Sequence, residues 1–329
     1  MHRALITGIS GQDGTYLAQS LLAAGVEVHG IVRSSAVHDD TPLQHPLLTV
    51  HQLDLTNGEA LAGLIRRVRP DEIYNLAAMS SVMQSWLTPV PAALVNAMPI
   101  VSILDTVWKI REEQGTSTRV VQASSAELFG QATSSPQSES TPIAPTSPYG
   151  AAKAFGHHMV GVYRALGVHA SSCILFNHES PLRPETFVTR KITAGVARIS
   201  RGRQTSLELG NLAARRDWGW APDYVNAMTL AAAAERGDDY VIASGVTHSV
   251  HDFVDTAFRH VGIDDWRPLV TSNPAFSRPS DPVEQRGDAS KARSVLGWAP
   301  TRTFEQIVAA MVDADLALLD APPSNPDGK

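Results

Sequence analysis

Short apolar runs alternate with longer stretches of helical periodicity through the first half of this 329-residue chain. The runs in "RALIT", "VEVHGIV", "LLTVHQ", "EIYNL", "RVVQAS" and "HASSCILF" predict strands near 3–7, 26–32, 48–52, 72–76, 119–124 and 169–176. Periodic stretches between them predict helices near 12–24, 58–68, 91–113 and 148–165. Strands and helices in strict alternation belong to the α/β class, a doubly wound parallel sheet with helices on both faces. After about residue 178 the texture changes, with proline, arginine and threonine clustered in "HESPLRPETFVTRK". Short strands near 206–209 and 239–243 and helices near 187–201, 222–235 and 250–261 follow. The pattern divides the chain into a nucleotide-binding domain, 1–178, and a smaller C-terminal α/β substrate-binding lobe, 179–329. Elements from about 217–245 are expected to return to the first domain. The tail "APPSNPDGK" reads as disordered.

Bulk properties narrow the function. A hydrophobic content of 43%, a charged content of 18% and a net charge of −6 fit an ordinary soluble protein. They argue against nucleic acid or a membrane surface as partner. No apolar run is expected to reach the roughly 18 residues of a membrane span, and no signal segment precedes the first strand. The single cysteine, Cys173, lies in an apolar strand and fits a reducing cytoplasm. Twelve histidines show no metal-ligand spacing, and His157-His158 reads as a surface pair, so no metal is expected.

Gly8, Gly11 and Gly14 stand between the first strand and the first helix. Glycine there permits positive φ and close backbone approach to a pyrophosphate, which the helix N-terminus then attracts. This placement predicts a dinucleotide site. The second strand ends at Arg33-Ser34-Ser35, where an NAD site usually carries Asp or Glu. A guanidinium beside hydroxyls suits a 2′-phosphate, so the strand end predicts NADP; a solvated arginine is the plainer alternative. Asp54 and Leu55 are expected on the adenine side. The stretch "NLAAMSS", with Leu76, Ala77, Ala78 and Ser80, is expected along the cofactor groove.

In "SPYGAAK", Tyr149 and Lys153 stand one helical turn apart on a single face. An ammonium there would lower the phenol's pKa and let Tyr149 act as a base near neutral pH. Ser125 and Glu127 close the fifth strand, where strand alternation would aim both at one face. Ser125 suits a sugar hydroxyl or keto oxygen. Glu127 suits proton removal beside a carbonyl, a step that simple alcohol oxidation does not need.

Together these segments resemble one family. "LITGISGQDGTYLAQSLL", "PDEIYNLAAMS", "QASSAELFG", "SPYGAAK", "LFNHESPLRPETFVTRKI" and "LGNLAARRDWGWAPDYV" are similar to segments of the GDP-mannose 4,6-dehydratase family of extended short-chain dehydrogenases/reductases. The resemblance covers nearly the whole chain. It implies a Rossmann-type NADP domain, a GDP-hexose as the small-molecule substrate, and a homo-oligomer. It also implies the chemistry: oxidation at C4, loss of water across C5–C6, and return of the same hydride to C6. Tyr149 would take the C4-hydroxyl proton and Glu127 the C5 proton. By matching position the resemblance adds Gln12, Asp13 and His178 to the cofactor's contacts. It adds Ser81, Asn177, Arg183, Glu185, Val188, Lys191, Arg216, Arg278 and Asp281 to the substrate's.

Three positions depart from the family pattern. Ala126 replaces the family's serine, which leaves Glu127 to serve as base and then acid. The segment after Arg33 is shorter and less basic than the family's arm, which favours a homodimer over a homotetramer. Asp281 stands where the family carries glutamate. Competing readings are a dehydratase of another GDP-sugar such as a heptose, a C4 reductase or epimerase, and a non-catalytic NADP-binding regulator. Glu127 counts against the reductase and epimerase. The intact Ser125, Tyr149 and Lys153 count against the regulator.

Overall fold

In the computed structural model, which describes residues 2–33, 43–273, 276, 280 and 282–321, the six early runs become strands of one sheet. They are β1 (Arg3–Thr7), β2 (Glu27–Val32), β3 (Leu48–Gln52), β4 (Glu72–Asn75), β5 (Arg119–Ser125) and β6 (Ala170–Leu175). The second half adds β7 (Asn177–Glu179), β8 (Leu207–Leu209), β9 (Arg215–Trp220), β10 (Asp239–Ile242), β11 (Thr247–Ser249), β12 (Val270–Ser272) and β13 (Glu284–Gln285). The helices are α1 (Gln12–Ala23), α2 (Gly58–Val68), α3 (Val82–Leu87), α4 (Pro89–Gln114) and α5 (Pro148–Ala165). They continue as α6 (Val188–Ser200), α7 (Ala221–Ala233), α8 (Val250–His260), α9 (Ser290–Leu296) and α10 (Phe304–Asp320).

The main sheet runs β10-β6-β5-β4-β1-β2-β3, with every neighbour parallel. The chain winds outward from β1 to β3, then crosses to β4 on the other side of β1. That reversal opens a crevice beyond the carboxyl ends of β1 and β4, where open α/β sheets bind their ligands. One face is closed by α1, α7 and α9, around Ile6, Leu17, Tyr224, Met228 and Trp298. The other is closed by α2, α4 and α5, around Leu61, Ile65, Leu104, Val107 and Val160. A second, smaller sheet, β11-β9-β13 with β7 also on β9, packs with α6, α8 and α10 around Trp218, Phe253, Phe304 and Met311.

Several expectations need correction. The sequence reading places no element beyond residue 261, yet α9 and α10 are there. The signal for α10 was present: Thr303 and Gln306 form a capping box, and Phe304, Ile307, Val308, Met311 and Val312 make one buried stripe. β7, β9, β11, β12 and β13 also lie outside the predicted strands. A helix long and apolar enough to cross a membrane does exist: α4 has 26 residues, and an 18-residue window of it has a mean hydropathy of 1.6. Half of that window is buried in the protein, against α2 and α5. His157 is not a surface residue either; its side chain is 12% exposed and faces Asp239 of β10 at 3.8 Å, while its neighbour His158 is exposed. Ser34, Arg278, Asp281 and the tail from Pro322 lie outside the described residues.

One buried arginine ties two helices of the smaller lobe to the segment that enters the crevice. Arg190 on α6 donates from Nε to the Asp315 carboxylate of α10 at 2.9 and 3.0 Å. Its Nη1 donates to the carbonyls of Pro181 and Arg183, which hold the segment entering the crevice. Removing one partner of a buried ion pair strands the other charge, at about 3–5 kcal/mol. Asp315→Ala should therefore lower unfolding free energy by about that much, seen as a lower urea midpoint.

Candidate active site

The crevice is a single cleft of about 1460 Å³. That exceeds the roughly 300–1,000 Å³ of an ordinary small-molecule pocket, so there is room for two ligands side by side. At its β1 end the chain turns through Gly8, at φ +73°, into α1. A β-carbon on Gly8 would lie 2.9 Å from Ala77 Cα, and one on Gly14 would lie 2.2 Å from the Gly8 carbonyl. Only glycine fits either place, and the result is a bare backbone cradle at a helix N-terminus. A dinucleotide pyrophosphate fits such a cradle. Gly11, Leu55, Leu76, Ala77, Ala78 and Ser80 line the groove as expected, and Ser10 joins them without having been foreseen. Arg33 is exposed at the end of β2, on the same wall. Asp54 is there too; its Oδ1 accepts from the Thr56 amide and hydroxyl at 2.9 and 2.8 Å, which holds its carboxyl below its usual pKa.

Gln12 and Asp13 do something the sequence did not suggest. Their side chains reach across to β7. Gln12 Nε2 donates to the His178 carbonyl at 3.1 Å, and its Oε1 accepts from Ser180 at 2.8 Å. His178 Nε2 meets the Asp13 carboxylate at 2.9 Å, while Nδ1 meets the Phe176 carbonyl at 2.8 Å. Both partners can only accept, so both ring nitrogens donate and His178 is an imidazolium. Burial works to lower the His178 pKa, but the charge and hydrogen bond of Asp13 outweigh it and raise it. Burial likewise works to raise Asp13, and His178 outweighs it and holds Asp13 low. The ring stacks on Tyr224 at 4.5 Å, a ring for which Gly219 leaves room: a β-carbon there would lie 2.2 Å from it.

At the centre stand the four residues expected to react. Ser147 caps α5, accepting from the Gly150 amide at 3.0 Å, and Pro148 occupies the first turn. Ser85, a residue with no sequence signal, accepts from the Tyr149 amide at 3.2 Å. A β-carbon on Gly150 would lie 2.5 Å from the Glu127 carbonyl, so the α5 turn bearing Tyr149 rests directly on the backbone of Glu127. Strand alternation does not place Glu127. β5 stops at Ser125, and Ala126–Phe129 is one turn of 3-10 helix whose Glu127 amide donates to Ser125 Oγ at 3.3 Å. The turn brings Ser125, Glu127 and Tyr149 to one wall, and buries Ala126 in an apolar cluster with Leu128, Phe129 and Ala154. Replacing a serine by Ala126 thus opens no gap in the cleft.

The proton chemistry of Tyr149 also differs from expectation. Burial pushes its phenol up to about 12, against a lowering hydrogen bond from Ser125; the neighbouring Glu127 charge raises it further. Lys153 does not reach the phenol to offset this. Its Nζ lies 5.7 Å from the ring centre and donates to the Ala123 carbonyl at 2.8 Å. Burial brings the ammonium down to about 8.

Beyond the centre the walls turn basic. Asn177, Arg183, Glu185, Val188, Lys191 and Arg216 all line this end. Arg183 sits on the Phe187 ring at 3.8 Å and pairs with the buried Glu179 at 3.3 Å. Glu185 pairs with Arg198 at 2.7 Å. Lys191 lies 3.7 Å from the centre of the Phe276 ring, and burial lowers its pKa. Arg216 is buried on β9 and donates to the Pro282 carbonyl at 2.8 Å. Ser81 caps α3 from the same wall, accepting from Gln84 at 3.2 Å. Glu179, Asn211, Trp218 and Phe276 were missed; a carboxylate inside "FNHESP" was the one available hint.

The sequence profile of the family described as GDP-mannose 4,6 dehydratase matches residues 5–311. This chain belongs to that family. Among curated members of the GDP-mannose 4,6-dehydratase family, GDP-mannose 4,6 dehydratase 2 of Arabidopsis thaliana is 45% identical, over 96% of this chain and 87% of that protein. The GDP-mannose 4,6-dehydratase of Sinorhizobium fredii (strain HH103) is 42% identical, over 96% and 97%. In fold the chain is similar to dTDP-glucose 4,6-dehydratase from Bacillus anthracis in complex with NAD, at a TM-score of 0.81 and 21% identity over 95% and 96% of the chains. It is also similar to RMD from Pseudomonas aeruginosa complexed with NADPH, at 0.77 and 20% over 96% and 100%. The chain therefore shares the parallel-sheet fold of these two dinucleotide-bound proteins.

The Asp13–His178 pair sets a pH window. The raised His178 contributes stability fully below its ordinary 6.5, and loses it as pH rises through its higher folded value. The lowered Asp13 contributes above its ordinary 3.8, and loses it as pH falls through its lower folded value. Thermal midpoints should fall above pH 6.5 more steeply than in His178→Gln, whose profile lacks this slope.

Proposed function

We propose that this chain converts GDP-D-mannose to GDP-4-dehydro-6-deoxy-D-mannose and water. The observation that carries the reading is a carboxylate, Glu127, held beside a phenol, Tyr149, on one wall of a two-ligand cleft. The cradle of Gly8, Gly11 and Gly14, with Arg33, Leu76, Ala77 and Lys153, would hold a nicotinamide dinucleotide. When bound, that group supplies a hydride acceptor at C4 and the same hydride at C6, so it is not consumed. With its phenol raised by burial, Tyr149 receives the C4-hydroxyl proton only after giving up its own, with Ser125 donating to the oxygen at C4. The resulting ketone acidifies C5–H. Glu127 takes that proton and passes one to the departing C6 hydroxyl, which leaves as water. The proton kept on Tyr149 balances the one that C5 regains. Arg183, Lys191 and Arg216 neutralise the diphosphate, the task for which guanidinium forks are suited.

NADP is the proposed form of the cofactor, supported by Arg33 where a carboxylate would otherwise meet the ribose. A homodimer is the proposed assembly. Leu94 and Met98 on α4, Phe155 and Val162 on α5, and Leu166 just after it are exposed apolar side chains that a second copy would cover. The cytoplasm is the proposed location, where the buried Cys173 stays reduced.

Purified protein given GDP-mannose should yield a product lighter by one water, absorbing in alkali as a 4-ketone, with no added NADPH. Glu127→Gln should halt the reaction after C4 oxidation, with reduced cofactor visible in its absorbance; normal turnover by that variant would remove Glu127 from the elimination. Arg33→Ala should weaken NADP binding about 10- to 100-fold, the worth of about 1.5–3 kcal/mol for charged hydrogen bonds, with NAD unaffected. Equal loss for both dinucleotides, measured by titration, would refute the 2′-phosphate contact.

A further inference from the structure

Three polar side chains lie in one row across the middle of the main sheet. Thr7 of β1 is opposite Asn75 of β4, and Asn75 is opposite Gln122 of β5. All three are at most 3% exposed, in a place where apolar residues would pack more cheaply. Hydrogen bonds run the length of the row. Thr7 Oγ1 donates to Asn75 Oδ1 at 2.8 Å, and Asn75 Nδ2 donates to Gln122 Oε1 at 2.7 Å. Gln122 Nε2 then donates to the Ala123 carbonyl at 3.0 Å, the same oxygen that receives Lys153 Nζ at 2.8 Å.

Both ends of the row are backbone, and they dictate its direction. At one end the Leu76 and Ala77 amides donate to Thr7 Oγ1 at 3.0 and 3.1 Å, so the only hydroxyl proton must go to Asn75. That turns the Asn75 amide nitrogen toward Gln122, and the Gln122 amide nitrogen toward Ala123. The Ala123 carbonyl can only accept, which closes the chain with no alternative polarity. β4 ends opposite Gln122, so Ala123 is the first residue of β5 with no strand partner on that side. Its oxygen has two lone pairs; Gln122 fills one and leaves the other to the ammonium.

We propose that Gln122 is a positioning residue for Lys153: by occupying one lone pair of the Ala123 carbonyl it confines the ammonium to the other. Through Asn75 and Thr7 the same row ties that direction to the Leu76–Ala77 backbone flooring the cofactor groove. Lysine carries three N–H donors on a flexible stem, so a fixed acceptor is what orients the remaining two toward the cleft. The row couples the sheet, the groove and the reacting lysine into one rigid piece, since satisfied buried polar networks hold a single geometry. This rests on Lys153 acting in the reaction proposed above.

Gln122→Met keeps the length of the side chain and removes its amide, but it also strands Asn75 Nδ2. The double variant Asn75→Leu/Gln122→Met removes both partners of that bond and leaves the Thr7 hydroxyl proton without its acceptor, one lost donor as in the single variant. The single variant should lose both thermal midpoint and kcat. The double should have about the thermal midpoint of the single, and in both kcat should fall about 10²-fold with KM unchanged, the loss expected for a group misplaced by about 1 Å. The chain has five lysines, so Lys153 can be titrated by ¹³C NMR on the full protein carrying its nicotinamide dinucleotide. Freed of its competitor, the Ala123 carbonyl holds the ammonium more tightly, and the Lys153 midpoint should move up in both variants. Wild-type kcat in either variant, or an unmoved Lys153 titration, would overturn the proposal. The titration needs no sugar nucleotide; wild-type protein inert toward GDP-mannose would refute the substrate alone.

Discussion

The contact on which the active site depends is the approach of the first turn of α5 to the end of β5. Where a side chain on Gly150 would begin stands the carbonyl of Glu127, so helix and strand end touch backbone to backbone. Nothing larger than hydrogen allows it. The consequence is chemical. Tyr149 and Glu127 come from segments more than twenty residues apart in sequence, yet share one wall because their backbones cannot separate. The Ser147 cap and the Ser85 hydroxyl hold the helix end in that place.

Around this contact the buried charges come with partners. The Asp13–His178 pair joins the glycine turn to β7, and the Arg190–Asp315 pair joins α6 to α10. Each spans the junction between the main sheet and the smaller lobe or anchors the segment that crosses it. A charge taken out of water alone is costly, and a pair with hydrogen bonds on every side confers geometry more than stability. The cleft cations are held differently. Lys191 rests on the Phe276 ring, which orients it without neutralising it as an anion would, while Arg183 both stacks on Phe187 and pairs with Glu179.

Membership of the family was legible in motifs, and so were most cleft residues. The glycine turn, Arg33 and the Tyr149–Lys153 spacing each follow from local chemistry, in which near neighbours in sequence meet one ligand. Expectations failed where the deciding contact was distant. Glu127 left the strand for a 3-10 turn because β5 has a last residue that no alternation rule announces. The Lys153 ammonium turned to Ala123, and the phenol of Tyr149 rose in pKa, because burial and a carbonyl thirty residues away outweigh a neighbour one helical turn along. α10 is a different kind of miss, since its cap and stripe were written in the residues and not read.

The amino-acid sequence alone determined the class of fold, the order of the six early strands, and the residue types that line the cleft beside the glycine turn. These rest on periodicity, on glycine at tight turns and on side-chain charge, all properties of a chain segment in isolation. Only the tertiary structure decided which way Gln12, Asp13 and Gln122 face, where Glu127 sits and what the proton affinities become. Each of those depends on desolvation and on partners brought from another strand or lobe. Neither exists until the chain has folded.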